Sequence, residues 1–309
     1  MSLATRIEAF DQLDEGIAPH TRPSPLILTL FPDSLRMESL RDAACRYINQ
    51  CLPGPGPYLA LGDRYLVDLL TQSRGIIPNM TPNGMLVPKR HTMLSYNTLV
   101  KAFADVMTHI GLAPFVVSWH IPLNVRVKYG EADTENLKRH HPTEHIHSDS
   151  WAGESSESLT VHIPLFGDLP RNHVTFYAPP DDFQEDWLGP RPNYQDGSGI
   201  AESYTAVRMI PRIGQVVLAD FASLHASTRL PGADLRVSID TTCVIEKPTH
   251  HEVGEKLHPW KLNERASHTV LSGIGETHLF VFPDTNDQQV DSEGGFKHPS
   301  NLTILELFS

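Results

Sequence analysis

The chain has 309 residues, 40% of them hydrophobic, enough for a sizeable core, and its composition gives no sign of disorder. Lys and Arg number 25 against 37 Asp and Glu, a formal net charge of −12, so nucleic acid is not expected as a partner. No stretch approaches the ~20 apolar residues that span a bilayer. No apolar leader opens the chain, and Cys45, Cys51 and Cys243 form no CxxC pair, so a reduced, cytoplasmic setting is expected.

The first third, about residues 1–112, reads as helical. After Asp33 and Ser34, a good N-cap pair, apolar residues fall at Leu35, Met37, Leu40, Ala44, Tyr47 and Ile48 with helical spacing. The Pro-Gly run from Pro53 to Pro57 ends that helix. A shorter helix over Arg64–Gln72 carries Tyr65, Leu66, Leu69 and Leu70. A third, capped near Ser95, aligns Leu99, Phe103, Val106, Met107 and Ile110. Such stripes are expected to cover a sheet.

From about residue 115 the period shortens to two. Phe115–Tyr129, Ser158–Phe166, His173–Ala178, Ala206–Ile210, Gln215–Asp220, Leu235–Ile245 and His278–Phe282 read as strands parted by Pro, Gly, Asn and Asp turns. Many short strands without a βαβ rhythm predict a mainly β protein with flanking helices, its core a double-stranded β-helix (jelly roll). One domain over 1–309 is expected, the core near 115–285, with an irregular loop or lid near 179–205.

The chemistry concentrates in Thr143-Glu144-His145-Ile146-His147-Ser148-Asp149-Ser150-Trp151. On an extended strand, residues i and i+2 share a face about 6.5–7 Å apart. His147 and Asp149 are then placed to hold one metal ion between them. A third ligand is offered by His225, read as the far end of a strand begun at Gly214. Two histidines and one carboxylate on one face leave the other face of the ion open, as non-haem Fe(II) oxygenases require. Shortly after His225 come Arg236 and Ser238, which share a strand face. A guanidinium fork matches a carboxylate in bidentate fashion and a hydroxyl adds a hydrogen bond, which suits the distal carboxylate of 2-oxoglutarate. Arg229 is the fallback for that role.

The pattern HxD, a distant His, then RxS resembles the Fe(II)/2-oxoglutarate-dependent dioxygenase superfamily over about residues 115–247. Ser150-Trp151-Ala152-Gly153-Glu154 after the HxD is similar to natural-product members of the streptomycin-biosynthesis and phytanoyl-CoA dioxygenase type. A fungal amino-acid-cyclising, aziridine-forming oxygenase is a further relative in view. The resemblance implies a jelly roll, Fe(II) and O2, and conversion of 2-oxoglutarate to succinate coupled to hydrogen abstraction from a substrate carbon. C–H hydroxylation of a small polar metabolite is expected, with oxidative cyclisation or desaturation open to the same centre. Related halogenases carry a small residue where this chain has Asp149, so halogenation is disfavoured.

Two other readings remain: a cupin-type enzyme using His145 and His147 without 2-oxoglutarate, and a jelly-roll binding protein without turnover. Cupins expect a Glu a few residues on, and Glu154 is too distant from His147. Asn124, Arg126 and Lys128 share one face of a strand whose other face is valine, lining the barrel mouth or facing solvent. Thr160 and His162 are similarly placed, and Trp151 is either an aromatic wall for substrate or packing. His140 and His141 read as exposed loop.

Overall fold

A computed structural model describes residues 2–17, 20–54, 63–131, 141–245, 265–282 and 302–307. The proline-glycine run beyond Gly54 and His140 lie outside them. The helices α1 (Leu3–Gly16), α2 (Ser34–Cys51), α3 (Asp63–Gln72) and α4 (Met93–His109) come from the first third. In α2, Asp33 caps the first turn by accepting from the Arg36 amide at 3.0 Å. Met37, Leu40, Ala44, Tyr47 and Ile48 are buried as their spacing predicts, while Leu35 is 73% exposed. The α4 helix begins before Ser95, whose hydroxyl instead donates back to the Thr92 carbonyl at 2.9 Å.

One expectation for the first third needs correction. Helix α1 buries Ala9, Phe10 and Leu13 together with an arginine: Arg6, wholly buried, pairs with Asp220 at 2.7 Å and with Glu185 at 2.5 Å. The stretch is not wholly helical. Strands β1 (His20–Ser24) and β2 (Ile27–Leu30) form a hairpin, and β3 (Met85–Leu86) follows α3. Prolines close to these short runs, Pro23 and Pro25 in the hairpin and Pro82 and Pro88 around β3, hid the strands.

The strand-rich remainder supplies β4 (Val116–His120), β5 (Asn124–Lys128), β6 (Ser158–Gly167), β7 (Asn172–Ala178), β8 (Thr205–Ala206), β9 (Val216–Asp220), β10 (Leu224–Arg229) and β11 (Arg236–Ile245). After β11 come β12 (Arg265–Ala266), α6 (His268–Ser272), β13 (His278–Val281) and β14 (Thr303–Glu306); a short α5 (Ser198–Ala201) precedes β8. The run read as one strand over Phe115–Tyr129 divides at Ile121–Leu123, and both halves line the same edge of β11. The Ala206–Ile210 run is strand only over Thr205–Ala206. The 179–205 segment carries three short helical turns, Glu185–Leu188, Tyr194–Gly197 and α5, within an otherwise irregular course.

Strands assemble into a large sheet ordered β1-β2-β9-β6-β11-β4-β12, with β5 beside β11 and β3 beside β5. A smaller sheet is ordered β10-β7-β8, and β13 pairs with β14. Alternation decides the two faces of the large sheet. Val125, Val127, Leu159, Val161, Ile163, Val237 and Ile239 join α2 and α4 in the main core. On the opposite face, Ile27, Val217 and Ala219 meet Val174 and Phe176 of the small sheet. Polar side chains of β5, β6 and β11 occupy the rest of that face, which creates a chamber between the sheets.

Candidate metal and anion site

The metal-bearing stretch is docked along β10 rather than being a strand of its own. Ser227 donates its amide to Thr143 at 2.8 Å, and His147 and His225 exchange backbone hydrogen bonds at 2.8 and 3.0 Å. This pairing brings the two histidines together. The strand expected through His147 and Asp149 is not formed: His147 makes a single bridge to β10, Ser148 is extended, and Asp149 opens a 3-10 turn, Asp149–Ala152, closed by Gly153 at φ 89°. The Ser148 side chain accepts from the Ser150 amide and donates to the Phe221 carbonyl, fixing that turn. His225 likewise does not end the strand from Gly214. That strand stops at Asp220, and His225 sits on β10 after a tight turn.

The resulting donor set fits a metal ion. His147 Nδ1 lies 2.7 Å from the His145 carbonyl, which can only accept, so the proton is on Nδ1 and Nε2 carries the lone pair. That Nε2 is buried with no hydrogen-bond partner among the described residues. It lies 3.7 Å from Asp149 Oδ1, while His225 Nε2 is 3.8 Å from Asp149 Oδ2. Both gaps are too long for a hydrogen bond and suit an ion about 2.0–2.2 Å from each ligand. Burial, reinforced by His147, pushes the His225 imidazole down to about 4, so it presents a neutral nitrogen. His147, Asp149 and His225 are the one such group among the described residues, and His145 is not part of it.

The chamber walls follow from two-residue alternation. From β10, His225, Ser227 and Arg229 point inward; from β11, Arg236, Ser238 and Asp240 do. Register places Arg236 opposite Lys128, Ser238 opposite Arg126 and Asp240 opposite both Asn124 and His162. Arg236 is 1% exposed; its Nη1 donates to Ser238 at 2.8 Å, Nη2 to Ser227 at 3.4 Å, and Nε has no partner among the described residues. Burial pulls its pKa down to about 10, against the pull of Asp240 and helped by the like charges of Arg126 and Arg229.

Lys128 donates to Thr143 at 2.5 Å and to Glu144 at 3.3 Å. Burial lowers its pKa to about 7, with Glu144 opposing and Arg126, Arg229 and Arg236 adding to the fall. Glu144 is held down to about 2: burial works against its charge, but Lys128 and Arg229, the latter at 3.0 Å, outweigh it. Arg229, the fallback anion binder, also donates to the Tyr129 carbonyl and is committed to these partners. Asp240 accepts from His162 at 2.5 Å, Arg126 at 3.0 Å and Ser238 at 3.1 Å. Burial disfavours its charge, yet His162 and Arg126 hold its carboxyl well below the usual range.

Of the residues singled out from sequence, Arg126, Lys128, Thr160, His162, Arg236 and Ser238 share the inner face of the large sheet, with Asn124 opposite Asp240. Trp151 is placed differently. It is 1% exposed, donates Nε1 to the Trp187 carbonyl at 2.8 Å, and fills the space a side chain at Gly197 would need. That geometry ties the metal turn to the 179–205 segment and favours packing over an aromatic wall. From the same segment, Tyr194 stacks on His147 with centroids 3.9 Å apart and rings 20° from parallel. Tyr194, Glu144, His145, Ile146, Ser198, Ala201 and Glu202 line a cleft of about 330 Å³ beside the ligand. Sequence reasoning missed Ser227, Asp240 and Tyr194. The first two were available by extending the alternation, two residues past His225 and two past Ser238; no local pattern marks Tyr194.

No protein-family description matches the chain, and no curated protein matches it either. Among solved structures it is similar to the non-haem 2-oxoglutarate-dependent epimerase SnoN of nogalamycin biosynthesis, at 16% identity and a TM-score of 0.34, covering 69% of this chain and 83% of that one. It is similar to EctD from S. alaskensis, solved with 2-oxoglutarate and 5-hydroxyectoine, at 16% identity and 0.37, covering 85% and 83%. An N-substituted L-amino acid dioxygenase from Burkholderia ambifaria is similar at 15% identity and 0.34, covering 78% and 87%.

Proposed function

We propose that the protein is a non-haem Fe(II)/2-oxoglutarate-dependent oxygenase with a jelly-roll core in a single domain, acting on a small polar metabolite. The observation that carries this is the His147 Nε2 lone pair, buried without a partner among the described residues and facing Asp149 and His225. A carboxylate-binding arginine, Arg236, stands across the same chamber. The two-histidine, one-carboxylate set is the donor chemistry of Fe(II) oxygenases with open positions.

In this reading His147, Asp149 and His225 hold Fe(II), and Arg236 with Ser238 and Ser227 holds the distal carboxylate of 2-oxoglutarate. The chemistry supplied when Fe(II), 2-oxoglutarate and O2 are bound is decarboxylation to succinate coupled to hydrogen abstraction from substrate carbon. The chain's own part is preorganisation. The His145 carbonyl fixes the His147 tautomer, Tyr194 covers its ring, and Phe176, with its ring centroid 6.1 Å from that of His225, keeps an apolar wall there. Arg126, Asn124, Thr160 and His162 give the substrate a polar surface, which suits an amino acid, amino sugar or similar intermediate. Hydroxylation is the expected outcome, with cyclisation such as aziridine formation, or desaturation, open to the same centre. The cupin alternative is not favoured, because the His145 imidazole lies outside the ligand group. The three cysteines are buried and unbridged, as suits a reducing, cytoplasmic setting. Anaerobic protein given Fe(II) and 2-oxoglutarate should develop a weak visible charge-transfer band and, in air, form succinate without added substrate. If neither appears, the 2-oxoglutarate reading is wrong.

A further inference from the structure

His162 is not part of the metal or the anion site, and its partner Asp240 meets the latter through Ser238. The two residues sit opposite each other on β6 and β11, on the inner face of the large sheet. Asp240 also accepts from Arg126 and Ser238, so it is an ionised acceptor, and the 2.5 Å contact is His162 Nδ1–H donating to it. That assignment leaves a lone pair on Nε2. Nε2 is buried and has no partner among the described residues, and the ring lies on the chamber side with its centroid 6.5 Å from that of Phe176 in the small sheet. Nothing among the described residues satisfies that second nitrogen, and an orphan acceptor costs folding free energy. The Asp240 carboxylate already has two other donors.

Given the proposed function, on which this rests, we infer that His162 is a substrate-binding residue whose Nε2 accepts a hydrogen bond, Asp240 fixing its orientation. The ligand it recognises therefore presents an O–H or N–H group to the large-sheet wall of the chamber. This is not the cosubstrate: 2-oxoglutarate carries two carboxylates and a ketone, none of them a donor at neutral pH, and its charge repels a lone pair. The substrate is an alcohol, amine or amide-bearing molecule, and a fully methylated or hydrocarbon counterpart is refused there.

Imidazole nitrogen NMR tests this on the full chain, labelled at histidine, without metal and then loaded with Zn(II) and 2-oxoglutarate. The His162 signals are those lost in His162→Gln. Expected is a ring protonated at Nδ1 and bare at Nε2. The Nε2 signal should move upfield on saturation with ethane-1,2-diol, a neutral donor, and stay in place with 1,2-dimethoxyethane. A proton on Nε2 overturns the inference. So does an Nε2 signal that ignores the diol or answers both probes alike. The charge-transfer band separates the two levels: without a band the oxygenase reading falls while the acceptor stands, and a band with a protonated Nε2 removes the acceptor alone.

Discussion

Arg236 is expected to weaken the fold while it serves the ligand, and replacing it should expose that conflict. Its guanidinium is 1% exposed and sits at about 10 rather than the usual 12.5, mainly through burial, with Arg126 and Arg229 adding repulsion and Asp240 only partly compensating. Holding that charge in place costs about 3 kcal/mol, an order-of-magnitude figure for a fully buried group. Arg236→Met keeps the bulk and removes the charge. It gives up the contacts to Ser238 and Ser227, but Ser238 still donates to Asp240, so no hydroxyl donor is stranded. The metal-free variant should therefore be as stable as the parent, or more stable by up to about 3 kcal/mol. Binding should move the other way. Two charge-assisted hydrogen bonds to a carboxylate are worth about 1.5–3 kcal/mol each. Their loss should weaken 2-oxoglutarate on the order of a hundredfold or more, since a tenfold change is about 1.4 kcal/mol. Urea midpoints measure the first effect, and calorimetric titration of 2-oxoglutarate into Zn(II)-loaded protein measures the second. A variant destabilised by more than about 2 kcal/mol that still binds 2-oxoglutarate normally would make Arg236 a structural clamp and refute the reasoning.

Lys128 should give stability a rising pH dependence. Its amine titrates near 7 when folded and near 10.5 when unfolded, so between those values the unfolded chain holds more protons and folding gains as pH rises. Below pH 7 both states are charged and the burial cost is fully present. From pH 6.5 to 9.5 the parent should gain about 3 kcal/mol relative to Lys128→Met in urea melts; a constant difference would show that Lys128 keeps its proton. Asp149→Ala should abolish the thermal shift caused by Zn(II), which at a hundredfold excess over Kd is about 2.7 kcal/mol. His145→Ala should retain it, whereas the opposite pattern would restore the cupin pairing. In Gly197→Ala the new methyl would lie 2.1 Å from Trp151 Cζ3. Overpacking of about 1–3 kcal/mol should loosen the 179–205 segment and raise its cleavage by protease; unchanged digestion would mean that Trp151 moves aside freely.

The candidate site residues were legible because their chemistry is dense and local: His147 and Asp149 are two residues apart, and Arg236 and Ser238 repeat that spacing. The reason given for the first pair was only half right. An extended segment reaching Ser148 and a turn starting at Asp149 also put both groups on one side, so residue spacing survived a change of backbone. His225 was found by chemistry and misplaced by pattern, since the apolar run Val216–Leu224 hides the turn between β9 and β10. Which face of Asn124–Lys128 turns inward was undecidable from alternation, because both faces are covered: valines by the main core, cations by Asp240, Thr143 and Glu144. Arg6, Asp220 and Glu185 were out of reach for another reason. Their partnership spans most of the chain and exists only once α1, β9 and the 179–205 segment have docked.

Net charge misleads most at the site itself. The chain is at −12, yet its chamber brings together Arg126, Lys128, Arg229 and Arg236 against Asp240 and Glu144. The acidic excess is therefore carried elsewhere, largely on the surface, where it is screened over about 8 Å at physiological ionic strength. A dianion approaching through water feels that exterior only briefly. Inside, lower dielectric and fixed guanidinium geometry strengthen the opposite sign. Lys128, poised near neutrality, adds its charge most readily when an anion arrives to compensate it, because a carboxylate beside it favours the protonated amine. Binding an acidic cosubstrate should then draw a fraction of a proton from solution near pH 7. The calorimetric heat of 2-oxoglutarate binding should consequently depend on the ionisation enthalpy of the buffer in the parent, and not in Lys128→Met.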